Sequence, residues 1–254
     1  MARDGSPVLR RRNLKMVSHQ FEKLLLFSSP LMGLGQWFNS SALQAVARIR
    51  DARLLVPHIS VPHIGFLDFR ELRALGIRGV ILDKDNTLTA PYADDAFPGG
   101  VAGGLDECRA VYGTDAVILS NSAGTGDDPG HAQALAIEAS LGLPVLRHAL
   151  KKPACMDAVR EHFGEDVRAH ELCAIGDRLL TDVLFGHMHG MLTVHTEVLT
   201  TDGDNPAAAV VRSAENALVL PALRGLLRVA ARPHPLFPDA EALQRVVRDP
   251  TTIT

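Results

Sequence analysis

Residues 79–89 read Gly-Val-Ile-Leu-Asp-Lys-Asp-Asn-Thr-Leu-Thr. A short apolar run, Val80-Ile81-Leu82, delivers two carboxylates, Asp83 and Asp85, into a turn-forming segment. An apolar run bounded by turn residues predicts a buried strand, and parallel sheets bind ligands at the carboxyl ends of their strands. Two carboxylates one residue apart at such a point suit two tasks. One can act as a nucleophile, and the other as a general acid and base. Asp-x-Asp alone also occurs in solvated loops, so its neighbours along the chain decide its meaning.

Three further pieces carry related chemistry. Val117-Ile118-Leu119 ends in Ser120-Asn121-Ser122. A hydroxyl with nearby backbone N–H groups holds phosphoryl oxygens, although the same residues also make an ordinary turn. Lys151-Lys152-Pro153 puts ammonium groups where a helix is expected to open, with Pro153 suited to the first turn. Alone, such a lysine pair is a solvated one. Cys173 to Asp182 reads Cys-Ala-Ile-Gly-Asp-Arg-Leu-Leu-Thr-Asp: another apolar run, ending in Gly176 and Asp177, with Asp182 following. Hard oxygen donors at a strand end suit Mg²⁺; the alternative is a helix start capped by the two carboxylates. Arg178 is open between a substrate headgroup and the surface. The gaps between the four pieces match strand–crossover–strand units of about thirty residues.

The elements that must position these groups follow from the pattern. Strands are expected at 79–82, 116–119, 145–147, 172–175 and 191–194. Helices are expected from Asp68 to Leu75, at 105–112, 131–141, 154–162 and 179–187, and over most of 206–230. Strands alternating with helices predict an α/β, doubly wound parallel sheet. Residues 90–104, rich in Gly and Pro, read as a loop, so little or no cap domain is expected over the site. Residues 54–64 hold two Val-Pro-His-Ile echoes and read as an extended connector or edge segment; His58 and His63 then read as a Pro-flanked surface pair. The expected organisation is 1–20 as a disordered or targeting segment, 21–65 as an N-terminal helical segment and connector, 66–235 as the catalytic domain, and 236–254 as a polar tail.

Of 254 residues, 46% are hydrophobic and 22% charged, enough for a sizeable core. A net charge of −3 gives no basic field, so no nucleic-acid partner is expected. Cys108, Cys155 and Cys173 are widely spaced and read as small buried hydrophobes rather than as a metal or disulfide framework. No apolar stretch of about 18 residues marks a membrane-spanning helix. Yet Arg10, Arg11, Arg12 and Lys15 lead into an apolar segment in which Leu24, Leu25, Phe27, Trp37 and Phe38 are the expected membrane contacts. The alternative for this segment is an amphipathic helix packed on the domain. Its scarcity of acids also fits a transit segment.

Over residues 66–195 the four pieces resemble the motifs of the haloacid dehalogenase superfamily, through Asp83 and Asp85, Ser120, Lys152, and Asp177 with Asp182. More narrowly, Asp-Lys-Asp-Asn-Thr-Leu-Thr, Ser-Asn-Ser-Ala-Gly-Thr, Lys-Lys-Pro and Gly-Asp-Arg-Leu-Leu-Thr-Asp resemble the mitochondrial phosphatidylglycerophosphate phosphatases and their bacterial relatives. The resemblance implies a Rossmann-like domain and Mg²⁺-dependent hydrolysis of phosphatidylglycerophosphate through an aspartyl-phosphate on Asp83. In it, Ser120, Asn121 and Lys152 bind the phosphate, while Asp83, the Asp85 backbone carbonyl, Asp177 and Asp182 hold the metal. It further implies a phospholipid substrate and a place on the matrix side of the mitochondrial inner membrane, or on the cytoplasmic membrane of a prokaryote. A phosphatase of small soluble esters and a non-enzymatic membrane scaffold are the competing readings.

Overall fold

The computed structural model describes residues 51–204 and 206–249. Leu24, Leu25, Phe27, Trp37 and Phe38 lie outside the described residues. Among those described, five strands form one sheet: β1 Ile59–Val61, β2 Gly79–Leu82, β3 Ala116–Ile118, β4 Leu172–Gly176 and β5 Leu192–Thr196. Their spatial order is β1-β5-β4-β2-β3, and every pairing is parallel. The helices are α1 Phe69–Ala74, α2 Gly100–Tyr112, α3 Ala132–Leu141, α4 Met156–Phe163, α5 Leu184–His189, α6 Pro206–Ala214 and α7 Ala240–Arg245. A π-helical turn, Leu179–Val183, leads into α5, and further π-helical turns over Glu215–Val219 and Ala222–Leu226 continue α6.

Residue alternation along β2 explains the layers. Val80 and Leu82 pack with Phe69 and Leu72 of α1 and with Val101 and Leu105 of α2. Ile81 points the other way, into a cluster holding Val159 of α4 and Phe185 of α5. Helices therefore cover both faces, which is why β2 and β4 are buried along their whole length and read as unbroken apolar runs. The expected doubly wound α/β sheet is the observed one.

Several local expectations are corrected. The strand expected at 145–147 is a single bridge, Val145 to Ile118; beyond it the guanidinium of Arg147 folds back onto Glu138. The loop expected through residue 104 ends at Gly100, where α2 begins. The glycines there allow close packing rather than looseness, since a Cβ on Gly104 would lie 2.7 Å from the Gly65 nitrogen. Pro153 does not open a helix; it lies in a turn, and α4 starts at Met156. The connector is the edge strand β1, flanked by Pro57 and Pro62 where an edge tolerates them. His58 is no surface residue: its Nδ1 accepts from Thr193 N at 3.0 Å and its Nε2 donates to the Arg232 carbonyl at 2.8 Å. Residues 236–248 are no free tail, because buried Phe237 and Val246 anchor them, and Asp68 N donates to Val246 O at 2.9 Å.

Candidate active site

In a parallel sheet all carboxyl ends lie on one edge, and the four pieces meet there. At the end of β2, Asp83 N donates to Ile175 O of β4 at 2.8 Å, tying the first carboxylate to the neighbouring strand. Asn86 takes a left-handed conformation, φ 60°, and the following N–H groups of Thr87 and Leu88 curl back onto Lys84 O at 3.2 and 2.9 Å. This tight turn keeps Asp83 and Asp85 side by side, and buried Thr87 sits inside it. Asp85 Oδ1 accepts from Lys84 Nζ at 2.8 Å and from Tyr92 N at 3.0 Å.

At the end of β3, Ser120 is buried and its hydroxyl faces Ser122, accepting from Ser122 N at 3.2 Å. Asn121 is turned toward the lysine loop, where its Oδ1 accepts from Lys152 N at 2.8 Å. Of the two candidate lysines, Lys152 enters the site: its Nζ donates to Asp83 Oδ1 and to Asp182 Oδ1, both at 2.5 Å. Lys151 pairs instead with Asp127 at the surface. Asp177 follows β4 and is fully buried. Asp182, on the π-helical turn, accepts from Arg178 N at 3.2 Å. That approach requires Gly176, since a Cβ there would lie 2.3 Å from Asp182 Cγ.

The electrostatics follow from two buried carboxylates, Asp177 and Asp182, and the half-buried Asp83 facing Lys152 and Arg212. Asp83, Asp177 and Asp182 bring ligand atoms within 4.8 Å of one another. Burial pushes Asp83 up to about 6 against the pull of Lys152. It pushes Asp177 up to about 8 against the pull of Arg212, with Asp83 and Asp182 adding repulsion. Lys152 is held above its ordinary range; burial opposes its charge, but Asp182 and Asp83 outweigh it. Asp177 keeps a buried Oδ1 without a hydrogen-bond partner, while its Oδ2 lies against the Arg212 guanidinium. Hard donors at this spacing fit a divalent cation.

Sequence reasoning missed the residues that close one side of the site. Buried Arg212 of α6 forms ion pairs with Asp177 and Asp204. Glu215, almost wholly buried, accepts from the Arg178 guanidinium at 2.9 Å and from Leu179 N at 2.8 Å. Arg178 is therefore pinned inside the fold. Asn216 Oδ1 lies 3.0 Å from His195 Nε2, which also approaches the Asp177 carbonyl at 3.1 Å. Thr200 N donates to Asn86 Oδ1 at 3.0 Å. The legible signal was the spacing of Arg212, Glu215 and Asn216, which share one helical face.

A parallel sheet that gathers three carboxylates and a lysine on its carboxyl edge defines a phosphatase of the haloacid dehalogenase type. More closely, the chain belongs to the mitochondrial PGP phosphatase family, whose model matches residues 40–200. It is 39% identical to the chloroplastic phosphatidylglycerophosphate phosphatase 1 of Chlamydomonas reinhardtii over 216 residues, 83% of this chain and 77% of that protein. The chloroplastic/mitochondrial phosphatidylglycerophosphate phosphatase 1 of Arabidopsis thaliana is 37% identical over 222 residues, 85% of this chain and 62% of that one. The mitochondrial phosphatidylglycerophosphatase GEP4 of Saccharomyces cerevisiae is 36% identical over 155 residues, 59% and 82% of the two chains. No solved structure matches the chain.

Proposed function

We propose that this chain removes the terminal phosphate of phosphatidylglycerophosphate, leaving phosphatidylglycerol. The observation that carries the reading is Lys152 Nζ bridging Asp83 and Asp182 inside the cluster completed by Asp177. In this reading a carboxylate oxygen of Asp83 attacks the terminal phosphorus. The bond from phosphorus to the glycerol oxygen breaks, its electron pair stays on that oxygen, and Asp85 supplies the proton. A water then attacks the aspartyl-phosphate, Asp85 takes the water's proton, and the bond from phosphorus to Asp83 breaks to release inorganic phosphate. Lys152 and the turn at Ser120 hold the phosphoryl oxygens as charge redistributes. Asn121 acts by fixing the Lys152 loop.

Mg²⁺ is the proposed cation, held by Asp83, the Asp85 carbonyl, Asp177 and Asp182. When bound it offsets repulsion between carboxylates and a phosphate dianion. A lipid substrate calls for a membrane surface; the proposed one is the matrix side of the mitochondrial inner membrane, or the cytoplasmic membrane if the source is a prokaryote, and the support is that several relatives are named mitochondrial. Among the described residues no helix is long and apolar enough to cross a membrane. The proposed membrane contacts are Leu24, Leu25, Phe27, Trp37 and Phe38, on the ground that a basic run leads into this apolar one.

Phosphate release from phosphatidylglycerophosphate in mixed micelles, with and without Mg²⁺, tests the reading. Wild type turns over only with the cation, and Asp83→Asn loses activity by a factor of about 10³ or more. Turnover of Asp83→Asn near wild type would remove Asp83 as nucleophile. Preference for soluble esters over the lipid would move the substrate to the small-ester class.

A further inference from the structure

We propose that Lys84 is a positioning residue for Asp85: it ties one carboxylate oxygen so that the other carries the proton to the leaving alcohol. The inference rests on the reading of Asp85 as general acid and base, and adds a residue to it.

Lys84 lies between the two catalytic aspartates in sequence. It is buried, with 4% of its surface exposed. A lysine side chain on a loop ordinarily extends its flexible stem into water, and an ammonium withdrawn from water is costly unless paired. Lys84 meets that cost at one atom, Asp85 Oδ1, 2.8 Å from its Nζ. The same oxygen accepts the Tyr92 N–H at 3.0 Å. Tyr92 has a φ of 60°, a conformation that bulky residues seldom adopt without compensation. The chain thus accepts a strained residue and a buried charge at two points that converge on one oxygen. Among the described residues, Asp85 Oδ2 carries no hydrogen bond.

The asymmetry has a chemical consequence. With Oδ1 committed to two donors, Oδ2 is the oxygen left to meet the leaving alcohol. With Oδ1 anchored from two sides, the carboxyl group is fixed in rotation as well as in position. As phosphorus leaves the glycerol oxygen, the pair of the broken bond stays on that oxygen, which takes the proton from Oδ2 and leaves Asp85 as a carboxylate. In the second half, the proton of the attacking water returns to Oδ2. Lys152 is engaged with Asp83 and Asp182, so the two lysines divide the work: one serves the phosphoryl group, the other the proton carrier.

The test exploits leaving groups. An alkoxide needs the proton, whereas p-nitrophenolate departs without it. Single-turnover formation of the aspartyl-phosphate is followed by rapid quench with Mg²⁺ for wild type, Lys84→Met, Lys84→Gln and Asp85→Asn. The substrates are phosphatidylglycerophosphate in mixed micelles and p-nitrophenyl phosphate. Lys84→Met is expected to slow phosphorylation from the lipid by about 10- to 100-fold, with KM and the p-nitrophenyl phosphate rate little changed. Lys84→Gln, which keeps a donor without the charge, recovers most of the loss. Equal slowing on both substrates, or none on the lipid, overturns the proposal. If Lys84→Met does not fold, judged by circular dichroism, Lys84→Gln carries the test: a selective loss on the lipid smaller than that of Asp85→Asn supports positioning, and equal effects on both substrates refute it. Asp85→Asn separates the two levels. If its loss is not selective for the lipid, the reading of Asp85 as the acid falls; if it is selective while the Lys84 variants are not, only Lys84 falls.

Discussion

Single atoms decide the geometry at this edge of the sheet, and Gly176 is the clearest case. Asp182 lies so close to the end of β4 that a methyl group at residue 176 would overlap its carboxylate. Gly176→Ala is therefore expected to push Asp182 away from Lys152. Overpacking of this kind costs about 1–3 kcal/mol, measurable as a lower urea midpoint. The displaced carboxylate should also weaken cation binding, which a Mn²⁺ titration monitored by electron paramagnetic resonance reads without substrate. A variant with unchanged stability and unchanged Mn²⁺ affinity would show that Asp182 can relax without consequence. In the sequence, Lys152 is picked out from its neighbour Lys151 only through the resemblance. The physical reason is now visible, since Asn121 holds the Lys152 backbone and aims that side chain inward.

At the scale of elements, the strands were legible because both faces of the sheet are covered, so each central strand is a plain apolar run. The strand at 145–147 was over-read because the apolar pair Val145-Leu146 does not show that only Val145 bridges to the sheet. The start of α2 was hidden because its glycines serve packing against Ile64 and Gly65, and glycine in a sequence reads first as a loop. The missed support of the site is α6 with its π-helical continuation, which grips the catalytic edge through Arg212, Glu215 and Asn216. A helix far along the chain declares its face but not what it docks on. The grip should be energetically large at Glu215. Glu215→Ala leaves the Arg178 guanidinium without its partner, and breaking such a buried pair costs about 3–5 kcal/mol. Urea unfolding monitored by far-ultraviolet circular dichroism checks this. A loss no greater than that of the exposed control Glu161→Gln would mean that α6 is merely draped over the site.

Across the whole molecule, the sheet separates two kinds of buried ionisable cluster. The carboxylates gather at its carboxyl edge. At the amino edge, His58, His170, His187 and His189 line a cavity of about 370 Å³ with Arg232. The rings of His187 and His234 lie 4.6 and 5.4 Å from His58, joining β1, α5 and the C-terminal segment. Burial pushes His58 down to about 3 and His234 down to about 4, and the neighbouring imidazoles add repulsion. These bases bind protons more weakly in the folded chain than in the unfolded one, whose histidines titrate near 6.5. Their contribution to stability is therefore complete above about 6.5 and is lost as pH falls from there toward 4 and then 3. Asp51, held down at about 2 by Arg53 and Arg232 against burial, loses its contribution below its unfolded value of 3.8, mostly outside that window. Asp83 and Asp177 act in the opposite sense, since raised carboxylates gain stability on protonation as pH falls. The histidine effect must therefore be read as a difference between variants in one buffer with Mg²⁺ present. His234→Phe, whose ring suits the contact with Phe237, should flatten the fall of the unfolding midpoint between pH 6.5 and 4.5 relative to wild type. Parallel curves for the two proteins would show that protonation of the histidine cluster does not limit the stability of this fold.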